Sequence, residues 1–312
     1  MYLLRRVGVY LLSIVVASAL VFSVMSVLPG DPAQVMLGTQ ATPENVAALR
    51  SELGLDRPIP VQYAEWLAGA LHGDLGTSIF SGQDIGAQIA DRMRITLPLA
   101  LLAMVLTSVI GIPAGIYAAS RHRRLGDTIV STLSQVGLAV PAFWAGLLLV
   151  GAFAVRRRWF PANGFPGWSP SPADAVRALI LPALSLALVQ GAIITRYVRS
   201  AILETLREDY IRTARAKGLT RSAALWRHGL RNAAIPVLTV LGLQFGALFA
   251  GTVVIESVFV LPGIGSMLLQ AITRRDLLLV QGGAFVIVVF ILTVNLCVDL
   301  AYRFIDPRVG TR

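Results

Sequence analysis

The sequence predicts an all-α integral membrane protein of six transmembrane helices, with a long external loop after the first helix and a charged cytoplasmic loop before the fifth. Three observations predict it. Of 312 residues, 55% are hydrophobic and only 14% charged, against about 25% charged in an ordinary soluble domain. Mean hydropathy is +0.71. The apolar residues also gather into six runs, each long enough for a bilayer core that needs about 20 residues per helix. Disorder, a coiled coil and a secreted disulfide scaffold are excluded by the same composition.

In chain order the runs fall near 7–28, 97–119, 129–155, 178–195, 233–258 and 279–302. The first follows Arg5-Arg6 and contains Ala17-Ser18-Ala19, a cleavage-like triplet. The apolar stretch continues past it to Leu28, longer than a signal h-region, so an uncleaved first span is expected. Residues 1–28, 29–94 and 95–312 then divide the chain into a first span, an external loop and a five-helix core. In the external loop, Thr42-Pro43-Glu44 opens a helix running to Leu53, and Pro60 precedes a second ending near Gly73. Gly73-Asp74-Leu75-Gly76 reads as a turn. A later external loop carries Trp159, Phe160, Phe165 and Trp168, which suit the headgroup layer.

Basic residues fix the predicted orientation. With both termini cytoplasmic, 17 Lys and Arg lie inside and 10 outside. Arg156-Arg157-Arg158 is the exception, placed outside. The net charge of +10 is therefore read as topology-setting, with membrane lipid as the partner and no nucleic acid. The single cysteine, Cys297, forbids an internal disulfide and a cysteine-based metal site.

Chemistry is sparse. The only lysine, Lys217, precedes Gly218 rather than Ser or Thr, so no phosphate-cradling Walker loop exists. His72, His122 and His228 all fall in predicted loops, leaving no constellation for an intramembrane hydrolase. No catalytic, cofactor-binding or metal residues are assigned. Ionisable groups inside apolar runs are functional candidates by default, which singles out Glu256 and Asp299; pairing near the interface, Asp299 with Arg303, is the plainer reading. Gln135, Gln190, Gln244 and Asn295 are polar positions within spans, suited either to a pathway or to bonds between helices.

The informative stretch is the cytoplasmic loop 203–234. Leu203, Leu206, Tyr210 and Ala214 recur at helical spacing, Gly218 interrupts, and Leu219, Ala223, Trp226 and Leu230 resume. Gly218 supplies a left-handed helix end and Thr220 a cap for the next helix. Two short amphipathic helices with a sharp bend are expected. Thr213, Ala214 and Ala216, just before the bend, leave room for a partner's groove. Two readings stand on pattern alone: docking to a partner chain, or interfacial helices lying on anionic lipid.

This stretch resembles the inner-membrane permease family of bacterial ABC importers, whose loop motif is Glu-Ala-Ala, three residues, then Gly. Arg212-Thr213-Ala214 followed by Gly218 occupies that frame, and the string from Asp209 through Leu219 resembles the dipeptide, oligopeptide and nickel branch. The motif's acid is Arg212 here, so a role resting on that acid does not transfer. Leu28-Pro29-Gly30-Asp31-Pro32, Glu52 to Pro58, Gly73 to Ser78, Asp299 to Tyr302 and Asp306-Pro307-Arg308 extend the likeness nearly end to end. The resemblance implies a coupling helix near Asp209 to Lys217, with Asp209, Tyr210, Arg212, Thr213, Ala214, Lys217 and Gly218 contacting an ATPase. It also implies a second homologous permease, two ABC ATPases that use ATP and magnesium, and an extracytoplasmic substrate-binding protein. The expected function is the non-catalytic permease subunit of an importer for peptides or nickel chelates in the bacterial cytoplasmic membrane. The alternative is a secondary transporter or channel using Glu256 or Asp299.

Overall fold

The computed structural model describes residues 2–27, 31–169 and 171–305. Leu28, Pro29 and Gly30, and the closing Asp306-Pro307-Arg308, lie outside the described residues. Among the described residues every regular element is a helix, and an isolated bridge joins Thr77 to Asp84. Among the described residues, five helices are long and apolar enough to cross a membrane: α1 (Tyr2–Val27), α5 (Ile85–Ser120), α8 (Pro172–Thr205), α11 (Leu230–Val258) and α13 (Leu277–Ile305). A bent pair makes six if it counts as one span: α6 (Leu125–Ala139) and α7 (Ala142–Leu149), the latter continuing through a π-helical turn, Val150–Arg156. Run 129–155, expected as one continuous helix, is broken by 101°. Pro141 explains the break: its ring drives Val140 into an extended conformation (ψ 120°), and α7 restarts behind the proline.

By its own packing the chain forms two compact units. The first comprises Met1–Ile95 and Gly263–Leu296. It holds α1, α2 (Pro32–Leu37), α3 (Pro43–Glu52), α4 (Ile59–Leu71) and α12 (Ile264–Arg274). Both expected loop helices exist. Thr42 caps α3 by accepting the Asn45 N–H, with Pro43 in the first turn, and Pro60 lies in the first turn of α4. Asp31 caps α2 and also binds Arg50 at 2.7 Å, while Asp56 takes the same guanidinium at 3.1 Å. Those two carboxylates, Asp31 foremost, hold the Arg50 proton above its usual range.

Helix α12 was not expected. Its inward residues, Ile264, Met267, Leu268 and Ala271, have helical spacing but span too little length to stand out beside the long apolar runs. They pack with Leu75, Ile85, Ile89, Leu279 and Phe285 in the core of this unit. The helix ends on Arg275 in the left-handed conformation (φ 59°). Beside it Asp276, 2% exposed, accepts the Ser78 hydroxyl proton at 2.5 Å and the Leu279 N–H at 3.2 Å. The glycine-rich turn after α4, with Gly73 and Gly76 at φ 87° and 84°, delivers Ser78 to this position.

The second unit comprises Thr96–Pro262 and Cys297–Arg312, and α8 is its centre. Three glycines explain why helices close on it. A Cβ at Gly111 would lie 2.8 Å from the Ile194 Cβ, and one at Gly115 would lie 2.6 Å from the Val198 Cβ and 2.7 Å from the Thr195 carbonyl oxygen. Gly111 and Gly115 are four apart on α5, the small-xxx-small spacing of close-packed membrane helices. On the facing side, the Gly191 carbonyl oxygen would lie 2.9 Å from a Cβ at Gly111.

Candidate functional site

The loop between α8 and α11 builds the site. After Thr205 the chain makes a tight turn, with Arg207 and Glu208 donating their N–H groups to Glu204 and Thr205. Helix α9 (Asp209–Ala216) follows. Ile211 and Ala214 point inward, against Ala224 with Leu206 and Leu219 beside them. Asp209, Tyr210, Arg212, Thr213, Arg215 and Lys217 are exposed. This division is what an eight-residue helix with only two strongly buried positions produces: a rigid body seated on a narrow apolar strip.

The helix ends as the glycine predicts. Gly218 has φ 95°; its N–H donates to Arg215 O at 2.9 Å, and the Leu219 N–H donates to Ala214 O at 3.3 Å. That pair of bonds is a Schellman motif, with Leu219 packing back over Ala214. Thr220 then caps α10 (Arg221–Ala224) by accepting the Ala223 N–H at 3.2 Å.

The second half departs from expectation. No separate second helix forms: α10 passes through a π-helical turn, Leu225–Gly229, directly into α11. A π turn bonds i to i+5, here the Leu230 N–H to Leu225 O, and so shifts the helical phase. The predicted apolar stripe through Trp226 is displaced as a result. Trp226 is 64% exposed, and Leu225, at 2%, is the buried residue. Gly229 makes this corner tight: a Cβ there would lie 2.9 Å from Leu225 Cδ1 and 3.4 Å from Thr205 Cγ2.

Between α9 and the π turn lies a cavity of about 550 Å³, lined by Tyr210, Thr213, Ala214, Lys217, Leu219, Arg227 and His228. Of the residues singled out from sequence for coupling, Tyr210, Thr213, Ala214 and Lys217 are brought together here, and Gly218 sets the bend. Asp209 and Arg212 pair with each other at 3.1 Å, almost wholly in water, where such a pair contributes little. Ala214 faces inward and forms cavity wall. Arg227 and His228 were not singled out as site residues; the signal for them was the cationic side of the second apolar stripe.

The polar span positions differ in exposure. Gln135 is exposed on α6, while Gln190, Gln244 and Asn295 are half-buried. Glu256 is fully buried and accepts the Thr96 hydroxyl proton at 2.6 Å, a bond between α11 and α5. Asp299 is half-buried.

One constellation went unread in the sequence. Asp127, in the first turn of α6 and 5% exposed, accepts two hydrogen bonds from the Arg199 guanidinium, at 2.6 and 2.8 Å. It also accepts the Arg123 N–H and the Ser131 hydroxyl proton, and lies 3.1 Å from His122 Nδ1. Arg123, at φ 64°, is bent to make this possible. The pair ties the α5–α6 corner to the part of α8 leading into α9. An aspartate at the edge of an apolar run was its only sequence signal.

Comparison with known proteins gives the family and the fold. Residues 111–311 match the model of the binding-protein-dependent transport system inner membrane component, and residues 1–100 match that family's N-terminal region. A protein of Brucella abortus assigned as a peptide transport system permease is 43% identical over 307 residues, 98% of each chain. The dipeptide transport system permease protein DppB of Escherichia coli is 38% identical over 332 residues, covering 99% of this chain and 98% of its own. Among solved structures, a methionine ABC transporter in an inward-facing conformation aligns with TM-score 0.56 at 16% identity, over 70% of this chain and 96% of that one. An amino acid ABC transporter aligns with TM-score 0.54 at 18% identity, over 70% and 94%. By fold and by full-length sequence match, the chain belongs to the family of binding-protein-dependent transport system inner membrane components.

Proposed function

We propose that this chain is the permease subunit of an ATP-driven importer that carries di- or oligopeptides inward across the bacterial cytoplasmic membrane, with both termini cytoplasmic. The observation that carries the reading is the loop 206–229. A chain with no nucleotide-binding motif presents a short helix, ended at Gly218 and seated on Ile211 and Ala214, whose one ion pair among the described residues is the exposed Asp209–Arg212 contact within the helix itself. Such an element suits gripping a neighbour that supplies the energy. The peptide substrate is carried over from the full-length relatives, two of which bear peptide or dipeptide transport names.

The mechanism is alternating access. Two ATPases using ATP and magnesium close, their movement reaches α9, and α8 and α11, which flank the loop, tilt with it. An external binding protein delivers peptide, and it biases the cycle only through unequal affinity for the permease conformations. A second, homologous permease completes the pathway. Reconstitution tests this. Vesicles holding both permeases and both ATPases, supplied with the binding protein, are expected to accumulate labelled dipeptide when ATP is present on the ATPase side. Uphill uptake by this chain alone would overturn the proposal.

A further inference from the structure

We infer that the cavity beside α9 receives a carboxylate side chain of the partner ATPase, gripped between Lys217 and Arg227. This rests on the ATPase-coupled reading above and adds the chemistry of the contact. The cavity has an apolar floor, Ala214 and Leu219, and walls made by Lys217 from the end of α9 and by Arg227 and His228 from the π turn, Lys217 and Arg227 carrying positive charge. Tyr210 and Thr213 add hydroxyl donors, and no acidic residue lines it. Among the described residues, neither Lys217 nor Arg227 has an ion-pair partner. The nearest acid in sequence, Asp209, turns to Arg212 at 3.1 Å.

Two cations held at one cavity raise its potential, and the fold leaves that charge uncompensated. It positions them from separate elements: the Gly218 Schellman turn sets Lys217, and the π turn swings Arg227 and His228 round to face it. An apolar floor beneath a cationic rim matches the aliphatic stem and anionic head of Glu or Asp. A concave cavity of about 550 Å³ also favours a side chain over the flat headgroup layer. Charge complementarity across such a contact governs association rate and register, and truncating one partner of a desolvated pair weakens binding by tenfold or more.

Lys217 is the only lysine in the chain, which makes a direct test available. The complete complex, both permeases with both ATPases, is treated with a carbodiimide, which joins an amine to a carboxylate without a spacer, and the cross-linked peptides are identified by mass spectrometry. The expected product links Lys217 to an Asp or Glu of an ATPase, and it is absent from Lys217→Gln. In parallel, purified ATPase is titrated onto the permease pair in nanodiscs of neutral lipid. Lys217→Gln with Arg227→Gln is expected to weaken binding about tenfold and to flatten its salt dependence, with Lys217→Arg restoring most of the loss. An intact complex without the cross-link, or a double variant matching wild type in affinity and salt slope, overturns the inference and leaves the ATPase-coupled reading standing. Wild-type permease that binds no ATPase sinks both. A loss of binding confined to nanodiscs of anionic phosphatidylglycerol assigns the cavity to lipid headgroups and overturns it as well.

Discussion

Helices α1 and α8 are nearly matched in apolarity and opposite in fate. Their apolar windows have mean hydropathy 2.4 and 2.0, yet 6% of the first window is buried and 67% of the second. The difference lies in side-chain size. Nine of the sixteen buried positions of α8 are Ala, Ser, Thr or Gly, Ala183, Ser185, Ala187, Gly191 and Thr195 among them. Those of α1 that face outward include Leu11, Leu12, Val16, Leu20 and Val24. Lipid tails accept large aliphatic groups as readily as a protein interior does, so hydropathy reports the membrane, and small residues report the neighbour.

The comparison can be broken most sharply with glycines. Gly115→Leu places a branched side chain where even a Cβ would meet Val198 at 2.6 Å and the Thr195 backbone at 2.7 Å. We expect loss of folded, detergent-stable protein, an effect of about 3 kcal/mol or more. Gly8→Leu on α1 has nothing within 4 Å and is expected to leave yield and thermal stability unchanged. Equal stability of the two variants in detergent would show that α5 and α8 do not pack as described.

Next in size is Asp127→Ala. It leaves Arg199, whose side chain is 26% exposed, without its carboxylate. The expected cost is about 2–3 kcal/mol, since removing one partner of a buried pair strands the other. A thermal melt checks this, and Asp56→Ala, which removes only an exposed contact to Arg50, is the smaller-effect control.

Gly218→Val probes the end of the lever that α8 leads into. A β-branched residue at φ 95° is strained by about 1–3 kcal/mol, and nothing within 4 Å of the glycine would clash. Membrane insertion is therefore expected to survive and ATP-dependent uptake to be lost. Normal uptake would remove Gly218 from the coupling turn. The smallest effect belongs to α1. Ser18, fully buried, shares a 2.8 Å hydrogen bond with the Tyr63 hydroxyl, and Ser18→Ala is expected to cost about 0.6 kcal/mol in detergent melts, the scale of one hydrogen bond between membrane helices.

The bend at Gly218 was legible because its causes are local. A glycine after an amphipathic stretch, with a threonine two residues on, dictates a left-handed stop and a new cap whatever surrounds it. The outer-loop helices α3 and α4 were legible for the same reason, through their prolines and the Thr42 cap. Trp226 was misplaced because a π turn adds a residue to the helical repeat, and only the crowding of Leu225, Thr205 and Ile211 around Gly229 dictates where that happens.

By itself the sequence determined the solvent, the helical class, the six apolar runs and the bend at Gly218, all of which follow from composition, proline, glycine and short-range spacing. Tertiary structure alone decided which helix is central, how Asp127 meets Arg199 and Ser78 meets Asp276, and how Lys217 comes to share a cavity with Arg227. Asp127 with Arg199 and Ser78 with Asp276 join residues far apart along the chain, while Lys217 meets Arg227 through a π turn that their short separation does not announce; spacing in sequence records neither the helix packing nor the change of helical phase behind them.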